Sequence, residues 1–174
     1  PDRLEGKVVS AVVGADAGAE GLGRSVTFTD TPAPAHVQLT GNGSRLEVTS
    51  DIFSVDMPKQ DMTLEAWVRV DKAMQWGGII GALQDNGTYE KGWLLGFRGS
   101  SFCFALNTEG SDKLTYLTAP AAFEHGRWYH LAGTYDGTTQ RLFVDGKKVA
   151  QAAEQSGAIV YPPKTWLEIG AYHD

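Results

Sequence analysis

At 174 residues the chain has the length of one domain with a sizeable core. A net charge of −6 argues against a nucleic-acid partner, which needs a basic patch, and no apolar run nears the roughly 20 residues of a membrane span. The single cysteine, Cys103, excludes an internal disulfide, while 21 glycines against 7 prolines suit many short strands joined by turns.

No signal peptide is visible, and Pro1 opens the chain without a Met, as expected of a mature form or an excised piece of something longer. Lys7–Val13 reads as a strand. The Gly/Ala stretch 14–23 lacks the GxGxxG order of a phosphate cradle. Arg24–Phe28 and His36–Leu39 read as further strands, and Val37–Val48 as strand, Gly-rich turn and strand. Met62–Val70 alternates strictly, with Leu64, Ala66, Val68 and Val70 on one face and Glu65, Trp67 and Arg69 on the other. Strands at 78–83, 92–97, 101–107 and 113–118 follow at roughly the 8–12-residue spacing of a sandwich. Nothing carries three turns of amphipathic helix; at most 121–125 forms a helical turn. A meander then runs from Trp128 to Val149, with Asp136-Gly137 and Asp145-Gly146 in its two turns, since Asp-Gly tolerates the positive φ of two-residue hairpins. Thr165–Gly170 is the last expected strand. The chain therefore predicts an all-β, two-sheet antiparallel β-sandwich with Trp67, Trp128, Leu142, Val144 and Ile169 largely buried.

Cys103, between Phe102 and Phe104, reads as a small buried hydrophobe. The aromatics Trp76, Tyr89, Trp93 and Tyr116 lie in or beside predicted loops, with Asp85, Asn86 and Arg98 near them in sequence. Rings that stack on a sugar face beside Asp, Asn and Arg that bond its hydroxyls make a carbohydrate site. The alternative is that Trp93 and Tyr116 are core and Trp76 caps a loop. Asn42-Gly-Ser44 and Asn86-Gly-Thr88 match the N-glycosylation acceptor, but each is also an Asn-Gly turn. Glu-x-Asp-x-x-Glu, the string that puts two catalytic carboxylates on one strand face, is absent, as are zinc spacing, a P-loop and Gly-x-Ser-x-Gly. No catalytic residue is expected.

The ordered pieces Thr63-Leu-Glu-Ala-Trp-Val68, Gly78-Ile-Ile80, Gly92-Trp93, Phe104 with Leu106, Trp128, His130, Ala132, Thr134-Tyr-Asp-Gly137, Val144-Asp-Gly146 and Leu167-Glu-Ile-Gly-Ala171 resemble the laminin G-like, concanavalin A-like lectin and glucanase superfamily. The resemblance covers roughly residues 37 to 172. It implies a jelly-roll sandwich spanning 1–174 as one domain of a larger protein, extracellular, periplasmic or at the cell surface. It implies a non-catalytic binding module for a glycan or a protein surface. The rival is an accessory domain packed on a catalytic neighbour, such as a hydrolase or phosphoesterase, and binding nothing itself. It also makes His130 a structural histidine bonded inside the sandwich. Relatives place an Asp of an "FDG" turn on a structural calcium ion; Thr40 stands there, which puts that site in doubt and leaves Asn42 and Asp174 as the metal candidates, with His173 beside the latter. Relatives also continue past "IGA" into a closing strand. The expectation is that Lys7–Val13, a second copy, or a separate partner segment covers that sandwich edge.

Overall fold

In the computed structural model, which describes residues 7–9, 12–15, 35–39 and 44–172, the alternation of the central sequence becomes strand after strand. The described strands are β1 (Lys7–Val9), β2 (Val12–Ala15), β3 (Ala35–Gln38), β4 (Arg45–Thr49), β5 (Met62–Arg69), β6 (Met74–Asp85), β7 (Glu90–Gly99), β8 (Ser101–Leu106), β9 (Thr115–Thr118), β10 (Trp128–Tyr135), β11 (Gln140–Val144), β12 (Lys147–Ala152) and β13 (Leu167–Ile169). A 3-10 turn, η1 (Ile52–Ser54), is the helical element among the described residues. All pairings are antiparallel. One sheet runs β1-β4-β13-β6-β7-β8-β9, the other β12-β11-β10-β5, and β2 pairs with β3 alone. The expected all-β jelly-roll sandwich is the observed fold.

The two large sheets meet over one core. Leu95, Phe104 and Leu106 from the seven-stranded sheet pack against Leu131 and Leu142 from the four-stranded one, all fully buried. Gly133 in β10 makes room for this: a Cβ there would lie 2.8 Å from the Phe104 ring. Of the residues expected inside, Leu142 is fully buried, Val144 packs on the core and Ile169 is half-buried. Trp67 and Trp128 are not inside; they are 64% and 38% exposed. Strand parity is the reason. Met62, Leu64, Ala66 and Val68 in β5, with Tyr129, Leu131 and Tyr135 in β10, hold the core face, so Trp67 and Trp128 must point away from it.

The meander closes as its turns dictate, with one correction. Val144 pairs with Lys147, so Asp145-Gly146 is a two-residue turn with φ of 50° and 74°, the mirror-image geometry that suits strand twist. Tyr135 pairs with Gln140, however, so residues 136–139 form a longer loop around Asp136-Gly137. Asp136 Oδ1 accepts from the Thr138 and Thr139 amides, and its Oδ2 takes Arg141 Nη1 at 2.6 Å. That ion pair, with the Thr bonds, holds the Asp136 carboxyl well below the usual range.

Three other expectations change. Residues 37–48 are not a hairpin: β3 pairs with β2, while β4 pairs with β1 and β13. The segment 121–125 is not helical, because Phe123 is drawn into the core, stacks on Phe102 at 4.6 Å and gives its amide to the Ser100 carbonyl. The N-terminal strand splits. Lys7–Val9 adds to the large sheet against Arg45–Glu47, and Val12–Ala15 goes to β3. The strand expected at Arg24–Phe28 lies outside the described residues.

Candidate functional site

The seven-stranded sheet has a second apolar layer on the face turned away from the core. Leu83, Leu94, Ala105 and Leu114 form it, with Tyr116 and Tyr172 packed against it. Strand parity builds this layer. In β7, Trp93, Leu95 and Phe97 face the core, which leaves Leu94, Gly96 and Arg98 for the outer face. Register then lines up Gly81, Leu94, Ala105 and Tyr116 across β6 to β9, and sets Trp76 opposite Arg98.

Four residues flagged in the sequence meet there. The Trp76 ring lies 5.2 Å from Tyr116, and the Arg98 guanidinium sits over the Trp76 ring at 4.6 Å. The Tyr116 hydroxyl donates to Asp85 Oδ2 at 2.5 Å. Tyr172 completes the group and was not foreseen. It stacks on Trp76 at 5.4 Å and 13°, and its hydroxyl donates to the same Asp85 oxygen at 2.8 Å. Its position comes from Gly78. A Cβ at Gly78 would lie 1.6 Å from the Ala171 carbonyl oxygen, so only glycine lets the chain after β13 cross β6 there and deliver Tyr172. No motif in the sequence announces that crossing.

Burial raises the Tyr116 pKa strongly, and the bonds to Asp85 and Tyr172 raise it further. Its hydroxyl therefore stays protonated and serves as a hydrogen-bond donor. Trp76, Tyr116 and Tyr172 are half-buried, and Arg98 is exposed.

The other expected residues fall elsewhere. Trp93 is a correction: it is 2% exposed on the core side, with Nε1 donating to the Tyr161 hydroxyl at 3.0 Å, and offers no ring face to a ligand. Asn86 and Tyr89 sit in the loop beyond Asp85, where the Asn86 amide donates to the Tyr89 carbonyl at 3.3 Å; among the described residues neither ring nor amide joins the Trp76 group. Thr40, Asn42, His173 and Asp174 lie outside the described residues. Among the described residues no three His, Cys, Asp or Glu side chains come together as metal ligands. His130 is a second correction. It stands on the outer face of the four-stranded sheet, not inside the sandwich, with Nε2 3.4 Å from Glu65 Oε2.

The family model described as the concanavalin A-like lectin/glucanases superfamily matches residues 40–174, and the chain belongs to that superfamily, in its laminin G-like branch. Mouse pappalysin-1 is 30% identical over 152 residues, which cover 80% of this chain and 9% of that protein. The human protein is 29% identical over 150 residues. The chain thus spans about a tenth of the length of these relatives. Among solved structures, domains LG4-5 of the mouse laminin α1 chain superpose with a TM-score of 0.50 at 18% identity, over 66% of this chain and 28% of that one. Domain 4 of AbnA, an extracellular arabinanase from Geobacillus stearothermophilus, solved with arabinotriose, superposes with a TM-score of 0.53 at 9% identity, over 94% of this chain and 74% of that one. At these identities the two structures speak for the fold alone. No helix among the described residues is long and apolar enough to cross a membrane.

Proposed function

We propose that this domain is a non-catalytic module of an extracellular or cell-surface protein, and that it recognises a glycan on the outer face of its seven-stranded sheet. The observation that carries this is the meeting of Trp76, Tyr116 and Tyr172 with Asp85 and Arg98 in one patch. Rings supply apolar surface for the C–H face of a sugar. Arg98 is exposed to donate to ring or glycosidic oxygens, and Asp85 keeps its second carboxylate oxygen clear of both tyrosine bonds to accept from hydroxyls. The likeness to an arabinanase domain that holds arabinotriose agrees with this at the level of fold. A glycan array probed with the folded domain and with Trp76→Ala tests it. Saturable binding to a defined glycan set, lost in the variant, is expected; a silent array sinks it.

A second reading is favoured by one observation. Trp67 and Trp128 lie exposed on the outer face of the four-stranded sheet. Such a surface suits packing against another domain, as an accessory role requires. Glycan binding that survives Trp67→Ala separates that face from the proposed one.

A further inference from the structure

The sequence holds three asparagines, Asn42, Asn86 and Asn107, and the first two precede glycine. An asparagine before glycine carries a reaction of its own. The main-chain nitrogen that follows closes on the side-chain amide, and glycine offers no Cβ to block the approach. The reaction needs both partners in solvent and free of hydrogen bonds. Asn42 lies outside the described residues, so the contrast is between Asn86 and Asn107.

The turn that joins β6 to β7 leaves Asn86 open. The ladder ends at Asp85 opposite Glu90; the Asn86 amide donates to the Tyr89 carbonyl at 3.3 Å, and the Thr88 amide to the Asn86 carbonyl at 3.0 Å. These bonds occupy the main chain of Asn86 and not its side chain. Asn86, Gly87 and Thr88 are exposed, Gly87 has a φ of 79°, and a Cβ built on it would meet nothing within 4 Å. Among the described residues neither the Asn86 side-chain amide nor the Gly87 N–H has a hydrogen-bond partner. Asn107 is the opposite case. It is fully buried, its Nδ2 donates to the Ser111 and Lys113 carbonyls, and the Thr108 amide that would have to attack it donates to Gln155 Oε1 at 2.8 Å. The aspartates before glycine in the described turns are tied too. Asp136 holds the Thr138 and Thr139 amides and Arg141, and Asp145 holds the His130 amide and Arg127.

We infer that Asn86 is a site of spontaneous covalent modification, deamidation through a cyclic imide, and that its product disturbs the Asp85 end of the Trp76 patch. The Gly87 nitrogen gives its proton to solvent and bonds to Asn86 Cγ; the Cγ–Nδ2 bond breaks and the nitrogen leaves as ammonia. Water then opens the five-membered ring at either carbonyl, giving aspartate or isoaspartate. No oxidant or cofactor is consumed. Isoaspartate lengthens the main chain by one carbon next to Asp85, and either product adds a carboxylate beside the facing pair Asp85 and Glu90. Like charges so placed repel. Asp85 Oδ2 holds the Tyr116 and Tyr172 hydroxyls, and both rings lie against Trp76, so a shift of Asp85 reaches the indole. This chemistry belongs to the chain itself and stands apart from glycan binding.

The test ages the folded domain in mildly alkaline buffer beside the same domain unfolded in urea, both made in a bacterial host so that the Asn86-Gly-Thr88 acceptor carries no glycan. Trypsin places the three asparagines in separate peptides, with Asn86 in 73–91. Mass spectrometry of that peptide is expected to show both acid products, formed in the folded domain within about threefold of the rate in urea, while Asn107 in the folded domain converts at least about tenfold more slowly. A second Trp76 indole signal is expected in the NMR spectrum, growing in step with isoaspartate and absent from aged Asn86→Gln. A folded-state rate at Asn86 tenfold or more below the rate in urea overturns the inference, because the turn then protects the residue. Conversion of Asn107 as fast as Asn86, or a Trp76 signal unchanged after full conversion, overturns it equally.

Discussion

Trp67 of β5 and His130 of β10 stand directly opposite one another in register, ring centroids 5.2 Å apart and tilted by 52°, on the sheet face that points away from the core. The pair shows how the four-stranded sheet divides its residues. Every second side chain in β5 and β10 enters the core, and the aromatic residues of the alternate set are left in solvent despite their size.

That division gives the first prediction. Leu142→Ala, which empties a fully buried position, is expected to cost about 2–5 kcal/mol. Trp67→Ala removes an exposed ring and its contact with His130, and is expected to cost on the order of 1 kcal/mol. Denaturant titration of both variants measures this. Equal losses would contradict the assignment of faces.

Much of the fold is legible in the sequence because its period is local. Met62–Val70 states its own two faces, and Asp145-Gly146 demands the positive φ values it adopts. Hydrophobicity alone would bury Trp67, but the alternation of its own strand places it outside. Residues 37–48 do not close into the expected hairpin, because pairing partners are fixed by the whole sheet and not by the nearest turn. In the candidate site, residue type was enough to find Trp76, Asp85, Arg98 and Tyr116. Trp93 fell out because its parity matches Leu95 and Phe97. Tyr172 is invisible for a different reason. Its placement depends on the close crossing of the chain at Gly78, which is tertiary information.

Gln155 is expected to behave as a core residue although it is polar. It is 1% exposed; its Oε1 accepts from the Thr108 amide and hydroxyl, and its Nε2 donates to the Lys113 carbonyl and to Thr115 Oγ1. Gln155→Ala strands the buried Thr108 amide and should cost about 2–3 kcal/mol in urea unfolding. A loss within about 0.5 kcal/mol would show the knot to be dispensable.

Cys103 is expected to be inert in the native state. It is fully buried, and burial pushes its thiol up to about 12 against the opposing charge of Arg98. Because the folded pKa is raised, ionisation favours the unfolded chain only as pH climbs past the ordinary thiol value. Alkylation by iodoacetamide at pH 8 should be slow in buffer and fast in denaturant. Fast native alkylation would contradict the burial.

Thr40 in place of the family aspartate leads to an expectation on calcium. Excess calcium against EDTA should move the melting temperature by less than about 2 °C, since a ligand that binds only the folded state raises it by mass action. A larger rise would point to Asn42 and Asp174 as ligands.

The central claim is that the Trp76 patch binds glycan. The most direct measurement is calorimetric titration of the strongest array-selected glycan into the wild-type domain, Trp76→Ala and Trp67→Ala. The account predicts that Trp76→Ala weakens binding by about tenfold or more, in line with the loss of one ring contact, while Trp67→Ala binds as the wild type does. Wild-type affinity in Trp76→Ala, or loss confined to Trp67→Ala, would contradict it.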